Sequence, residues 1–512
     1  MDDLDAARKL VHALLDPACY PHEVGAIELV ETHISWVLLT GPFAYKIKKP
    51  LRLDFLDFST LEQRRHFCEE ELRLNRQFAP ELYLDIVPIG GTRDAPRIGI
   101  RPAIELAVKL RQFPADAVLD RVVPEGRASS AQILELAESI ARFHTALPPA
   151  VTDASYTQAL RNLDELEHCL RAAGRREPLA ELRAWTADRL QALAPVFSAR
   201  AETGAVRAGH GDLHLGNLVM LGNRIVPFDV LEFSTALRTT DVIDEAAFLV
   251  MDLRAHARPD LGTQFLNRYL EITGDYAGLR VLGFYLVYRA LVRAKVNGLK
   301  CLQADERTDF DRRVQPYLRL ADELILPRKP LLVITRGLSG SGKTTATTAL
   351  IPRLGALRVR SDLERKRLHG LAANARGDIG FGEGRYSAAA NDQTYEILER
   401  EAGNALKAGL DFIVDAAFLE RSRRDAFRTL AARQGAGFVI LECTAPEEAL
   451  RERVRRRAAE RRDASEATER VLEVQLRTEE PLTADERECS LELDTSEAVD
   501  YAALAVALRG AR

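Results

Sequence analysis

Hydrophobic and polar positions along the chain change rhythm several times, and each change predicts a different kind of element. Residues 4–15 repeat at helical spacing and predict a short helix that Pro17 and Pro21 close. Residues 33–40 (HISWVLLT) and 43–48 (FAYKIK) read as two strands across a Gly41-Pro42 turn. Residues 61–78 return to helical spacing, with Phe67, Leu74 and Phe78 on one stripe. Strands are expected at 82–89, at 98–104 and at 105–113. From 131 the pattern is helical: 131–147, then 156 to about 197, and onward to about 324. A polar loop near 210–217 and an apolar strand at 224–228 interrupt it. Beyond residue 330 short apolar strands (331–336, 357–360, 411–415, 437–443, 491–494) alternate with helical stretches near 391–406, 421–432, from 446 and at 501–508. That alternation predicts a parallel sheet flanked by helices.

The patterns describe two domains, as 512 residues are too many for one core. The first, 1–325, is α+β, with a small sheet-containing lobe to about 113 and a helical lobe from about 114. The second, 331–512, is α/β. The boundary falls in ADELILPRKP (321–330), where prolines flank a basic pair. A content of 46% hydrophobic and 29% charged residues is that of a soluble globular chain. The net charge of −5 gives no reason to expect a nucleic-acid partner. The six cysteines are scattered singly, which argues against a disulfide framework or zinc site. The N-terminus is acidic rather than a signal peptide, and no apolar run is long enough to span a bilayer, so a cytoplasmic protein is expected.

Within the first domain the chemistry concentrates in His210-Gly211-Asp212-Leu213-His214-Leu215-Gly216-Asn217, followed by Phe228-Asp229. Asp212 can accept the proton of a hydroxyl or amine acceptor. Asn217 and Asp229 offer hard oxygens to Mg²⁺, the set phosphoryl transfer needs. The spacing from Asp212 to Asn217 is that of H-R-D-x-x-x-x-N in the protein-kinase catalytic loop. Lys46 and Lys48 share one face of their strand, and a lysine placed there can grip the phosphates of ATP. Lys46 is the first choice and Lys48 the alternative. Of Glu69, Glu70 and Glu71 on the following helix, Glu70 is expected to reach inward and hold that lysine. No G-x-G-x-x-G precedes Lys46, and Gly41 alone lies in a turn too short for a flap. A non-catalytic first domain is therefore the competing expectation.

In the second domain Gly337-Leu338-Ser339-Gly340-Ser341-Gly342-Lys343-Thr344 matches G-x-x-x-x-G-K-[ST], with a strand before it and a helix after. Gly337, Ser339, Gly340, Ser341 and Gly342 would supply the backbone that closes around the β-phosphate. Lys343 would bridge to the γ-phosphate, and Thr344 would offer its hydroxyl to Mg²⁺. Ligands of such sheets bind beyond the carboxyl ends of the strands. Asp362, just past the second strand, is thus a candidate base, with Arg365 able to clamp the acceptor. Asp415, ending the third, can hold Mg²⁺ or its waters. The basic run 453–462 reads as a closing lid, with Arg461 and Arg462 at its bend the candidates for phosphate contact.

With those residues in view, the chain resembles bacterial two-domain proteins in which an aminoglycoside phosphotransferase-like domain is fused to an ATP-binding P-loop domain. FAYKIKKP, RRHFCEEELRLNR, HGDLHLGN and the Walker loop carry the likeness, which spans essentially all residues. The second half by itself is similar to P-loop kinases of small molecules and of polynucleotide ends. The resemblance implies a bilobal protein-kinase-like fold followed by a P-loop NTPase fold, ATP and Mg²⁺ as cofactors, and small-molecule phosphate acceptors. The leading expectation is two phosphoryl-transfer sites. The alternatives are a single P-loop kinase carrying a kinase-like binding domain, and a zeta-toxin-like or polynucleotide-end kinase.

Overall fold

A computed structural model of the chain describes residues 2–53, 56–151, 156, 158–175, 178–303, 307–371, 388–460 and 468–511. The chain divides into two compact units, one of residues 1–132, 147–153 and 204–245, the other of 133–146, 154–203 and 246–512. The helical segments after residue 245 thus group with the C-terminal sheet.

The first unit is built on a six-stranded antiparallel sheet. Across it run Glu28–Glu31, Ser35–Leu39, Phe43–Lys48, Glu105–Arg111, Tyr83–Gly91 and Pro96–Ile98. Alternation along the second and third strands sends Trp36, Leu38, Tyr45 and Ile47 to one face, against Leu10, Val11 and Leu14 of helix Asp2–Ala13. The other face carries Ala44, Val108 and Leu110 and meets Cys68 of helix Leu61–Asn75, together with Val219 and Val226. Those two valines belong to the hairpin Leu218–Leu221 and Arg224–Pro227. The hairpin therefore docks its loop beneath the face from which the strand lysines project. Strand Glu28–Glu31 has no counterpart among the expected elements, and the strand expected at 98–104 stops at Ile98. Gly99, with φ of +88°, takes the chain out of the extended conformation the ladder requires.

The second unit contains the helices Gln158–Ala172, Ala180–Glu202, Pro259–Thr273, Leu279–Gln303 and Phe310–Ile325. It also contains a five-stranded parallel sheet ordered Leu357–Arg360, Phe412–Asp415, Leu331–Arg336, Gly437–Thr444 and Ser490–Asp494. All six residues of Leu331–Arg336 are buried, as a central parallel strand covered on both faces demands. Leu331 and Val333 pack with Ala346 and Leu350 of helix Lys343–Leu354, so the loop between strand and helix rests on core at both ends. Among the described residues no helix is long and apolar enough to cross a membrane.

Candidate functional site

The first site grows from the strand Phe43–Lys48. Its inward face delivers Lys46 and Lys48 to a buried carboxylate, and that carboxylate is Glu71 rather than the expected Glu70. Lys46 Nζ lies 2.8 Å from Glu71 Oε1, and Lys48 Nζ lies 2.7 Å from Glu71 Oε2. Glu70 sits one position around the helix, faces outward and pairs with Arg73 at 2.7 Å. A single residue rotates the side chain by about 100° on a helix of 3.6 residues per turn, and three consecutive glutamates leave the sequence without a preference.

Both lysines hold a second carboxylate. Lys46 Nζ is 2.6 Å from Asp229 Oδ1, and Lys48 reaches Glu232. Burial alone would favour neutral amines. The carboxylates of Asp229, Glu71 and Glu232 outweigh it and hold both ammonium groups above the usual lysine range. Glu71 is buried too, yet the two lysines draw its carboxyl down to about 2. Three carboxylates face two ammonium groups, and burial pushes the carboxyl of Glu232 up. Glu232, three residues after Asp229, carried no pattern that distinguished it in the sequence.

The loop 210–217 lies next to Asp229. Asn217 Nδ2 donates to Asp212 Oδ2 at 3.0 Å and to the Asp212 carbonyl at 2.9 Å. His214 Nδ1 accepts the Gly216 N–H at 3.0 Å, which leaves Nε2, 3.3 Å from Asp212 Oδ2, as the donor. The His210 ring ties the two halves of the site together. Its Nδ1 faces the Asp212 N–H at 3.4 Å, and its Nε2 lies 3.0 Å from the Phe228 carbonyl oxygen. Burial lowers the His210 pKa, consistent with a neutral ring in that bridging role. Gly211 has φ of +86°, and a Cβ there would meet the Arg238 Cβ at 2.7 Å, so only glycine passes this turn. Asp229 itself adopts a left-handed φ of +61°, a strained state for a non-glycine residue. Tyr83 Oη accepts its N–H at 3.0 Å, and Asn75 Oδ1 accepts that of Val230 at 3.0 Å. The loop is braced from below by Glu245, which accepts the His210 N–H at 2.7 Å. Asp212 and Asp229 remain 36% and 43% exposed at the side chain, open to a ligand from solvent.

The second site lies where the parallel strands end. Gly337, Gly340 and Gly342 have φ of +146°, +87° and +84°, conformations that curl the loop back on itself. Lys343 Nζ donates to the carbonyls of Gly337 and Leu338 at 2.8 Å each. Burial pushes the Lys343 ammonium pKa down, against the opposing pull of the Asp415 carboxylate. A cavity of about 1100 Å³ opens over the loop, and Ser339, Lys343, Thr344, Asp362, Arg365 and Asp415 are in its lining. Asp362 stands at the start of helix Ser361–Leu368, 3.3 Å from Arg365, which also approaches Asn391 at 3.3 Å. Arg461 and Arg462 lie outside the described residues. Of the basic run, Arg453, Arg456 and Arg457 on helix Glu447–Glu460 line the cavity. Arg453 bonds the Gly340 carbonyl at 3.1 Å. Gln475 Oε1 accepts the Ser339 N–H at 2.8 Å, from a helix the sequence hardly announced.

Comparison with known proteins supplies the class. Residues 59–282 match a family model described as a phosphotransferase enzyme family, and residues 332–482 match one described as an AAA domain. Relatives from Mycobacterium tuberculosis and Mycobacterium bovis, both described only as uncharacterized proteins, are 30% identical over 465 residues, 88% of this chain and 91% of theirs. The chain belongs to the family of these mycobacterial proteins. It joins an aminoglycoside phosphotransferase-like domain to a P-loop kinase-like domain, a pairing that supports a kinase-type phosphotransferase. Solved structures similar to parts of it include a GDP complex of an aminoglycoside 2'-phosphotransferase, 15% identical with a TM-score of 0.38, covering 62% of this chain and 97% of that one. Another is a gluconokinase from Sinorhizobium meliloti, 22% identical with a TM-score of 0.26, covering 36% of this chain and 95% of that one.

Nucleotide use follows from both domains. The donor sets also suit magnesium. Among the described residues no group of three or more His, Cys, Asp or Glu could enclose a metal. Mg²⁺ is ordinarily held by one or two protein oxygens together with substrate phosphates and water, not by an all-protein cage. Asn217 with Asp229, and Thr344 with Asp415, are sets of that size.

Proposed function

We propose that the chain is an ATP-dependent phosphotransferase with two phosphoryl-transfer sites acting on hydroxyl or amine groups of small molecules. The observation that carries this reading is that each site pairs a half-buried lysine with a carboxylate open to a ligand. In the first site Lys46, held by Glu71, positions the phosphates. Asp212 takes the acceptor proton as the acceptor atom attacks the γ-phosphorus and the bond to the β-phosphate oxygen breaks. Asn217 and Asp229 would hold magnesium. In the second site Lys343 and the backbone of Gly337, Ser339, Gly340, Ser341 and Gly342 bind phosphate, Asp362 takes the proton and Arg365 orients the acceptor. Thr344 and Asp415 would hold magnesium there. Bound magnesium supplies positive charge to the transferring phosphates, which in this chemistry is mostly an electrostatic problem.

A second reading, a single P-loop kinase with a first domain that only binds, draws support from the first site alone. There Lys46 is spent on Asp229, and the turn at Gly41 offers no phosphate flap. Labelled ATP with a panel of metabolites and antibiotics separates the two. With both sites active, Asp212→Ala and Lys343→Ala each suppress a different part of the transfer, Asp212→Ala by roughly 10²- to 10⁴-fold for loss of a positioned base. If Asp212→Ala leaves every activity intact, the second reading replaces the first.

A further inference from the structure

The strand Leu357–Arg360 is the edge of the parallel sheet, and its second residue is an arginine only 4% exposed. A charged side chain buried on an edge strand needs partners, and an edge strand also leaves backbone groups to satisfy. Both needs are met from the helical part of the kinase-like domain, which belongs to the same compact unit. Asn267 Oδ1 accepts the Arg358 N–H at 2.8 Å, and Tyr276 donates its hydroxyl to the Arg358 carbonyl at 3.0 Å. Glu271, near the end of helix Pro259–Thr273, accepts from Arg358 Nη2 at 2.6 Å and is itself 4% exposed.

The other half of the guanidinium faces the phosphate loop. Arg358 Nη1 donates to Thr347 Oγ1 and Thr348 Oγ1, each at 2.8 Å, and lies 3.3 Å from the Thr344 carbonyl. Thr347 Oγ1, accepting from Arg358, directs its proton toward Asp415 Oδ2 at 3.1 Å, with the Thr344 carbonyl at 3.2 Å sharing it. A continuous buried chain thus runs from Glu271 through Arg358 and Thr347 to Asp415, and touches Thr344 on the way. Its far end is the Asp415 carboxylate, assigned above to magnesium together with the hydroxyl of Thr344, whose backbone carbonyl the chain touches.

We infer that the kinase-like domain completes the P-loop site, with Glu271 and Arg358 acting as positioning residues for Asp415 and Thr344. The inference rests on the P-loop reading proposed above. Glu271 fixes one edge of a planar group whose other edge fixes the threonine that orients the carboxylate. Without Glu271, Arg358 keeps its charge and turns toward Asp415, already 3.7 Å away, neutralising the carboxylate that would hold the metal.

The test uses the full chain and a fluorescent ATP analogue titrated with and without Mg²⁺. The component of binding that Lys343→Ala removes reports the P-loop site. Glu271→Gln, nearly isosteric, and Thr347→Val, which cuts the chain from inside the P-loop domain, should each weaken magnesium dependence of that component by roughly 10- to 100-fold, as loss of an outer partner to a metal ligand does. Tyr276→Phe removes only a backbone tie of the same contact and should leave it within about twofold, a change too small to involve a metal partner. Thermal melts establish that each variant is folded. Should Glu271→Gln fail to fold, Thr347→Val carries the same prediction. Unchanged magnesium dependence in the folded variants overturns the inference, as does an equal loss in Tyr276→Phe, which would make the contact merely structural. If Lys343→Ala removes no component from the wild type, the P-loop reading itself falls, and the inference falls with it.

Discussion

The two lysines offered for gripping phosphate are held in opposite ways. Lys46 is clamped by side chains from a helix 25 residues away and a loop 183 residues away. Lys343 rests on carbonyls of its own loop, six and five residues back. One cradle is a long-range charge network, the other a local backbone shape. A network of buried charges is broken by removing any one member, because what remains is an uncompensated charge in low dielectric. A backbone cradle is broken only by changing the path of the chain.

The sharpest break comes from adjacent glutamates on one helix. Glu71→Ala leaves Lys46 and Lys48 each short of a carboxylate, and removing one partner of a buried pair costs about 3–5 kcal/mol. Glu70→Ala loses a surface pair with Arg73, which is worth about 0–1 kcal/mol. The chain has two tryptophans. In a Trp185→Phe background the buried Trp36, on strand Ser35–Leu39, reports unfolding of the first unit alone. Urea titration of that fluorescence should separate the two variants by several kcal/mol. Equal stabilities would mean that the carboxylate assignments are reversed or shared.

The same contrast explains what the sequence made legible. The P-loop was readable because its determinants are eight contiguous residues between a strand and a helix, and the strands and helices around it were found within a few residues. His210 to Asn217 was readable for the same reason. What stayed hidden were partners chosen by three-dimensional proximity alone. Glu71 could not be told from Glu69 or Glu70 without knowing which way the helix faces. Glu232, Tyr83 and Asn75 carry no spacing that links them to the lysines or to Asp229. Nothing in the sequence sets Arg358 apart from the rest of its short strand, or Glu271 from the other charges of its helical stretch. Their roles depend on the edge of a sheet meeting a helix some 90 residues away in sequence.

A smaller effect, of predictable sign, concerns acid. The folded-state carboxyl of Glu71 is held well below its usual value of 4.5. Its contribution is therefore fully present above pH 4.5 and is lost as pH falls toward 2. Glu232 has the opposite sign. Its raised carboxyl penalises the charged form, so its protonation on acidification relieves strain above that window. Trp36 unfolding followed against pH should show a stability decrease between pH 4.5 and 2 that flattens in Glu71→Gln. An unaltered slope would assign the acid sensitivity to other groups.

The finest contrast tests how the two aspartates proposed to face magnesium are held. Asp415 ends a parallel strand in ordinary extended backbone and is oriented by Thr347. Asp229 sits at φ of +61°, in the left-handed region, and depends on Tyr83 Oη to accept its N–H. Tyr83→Phe keeps the ring, which is 2% exposed, and deletes only that acceptor. An unsatisfied buried N–H costs about 1–3 kcal/mol, and part of this is recovered if the backbone relaxes out of the left-handed region. Relaxation would swing the Asp229 carboxylate away from Lys46 and Asn217. Transfer dependent on Asp212 should then fall while transfer dependent on Lys343 stays unchanged, with a loss of about 1 kcal/mol in the Trp36-reported stability. A stability loss without any change in the Asp212-dependent reaction would mean that Asp229 keeps its place without the tyrosine, and that the left-handed turn is fixed by Asn75 and the hairpin alone.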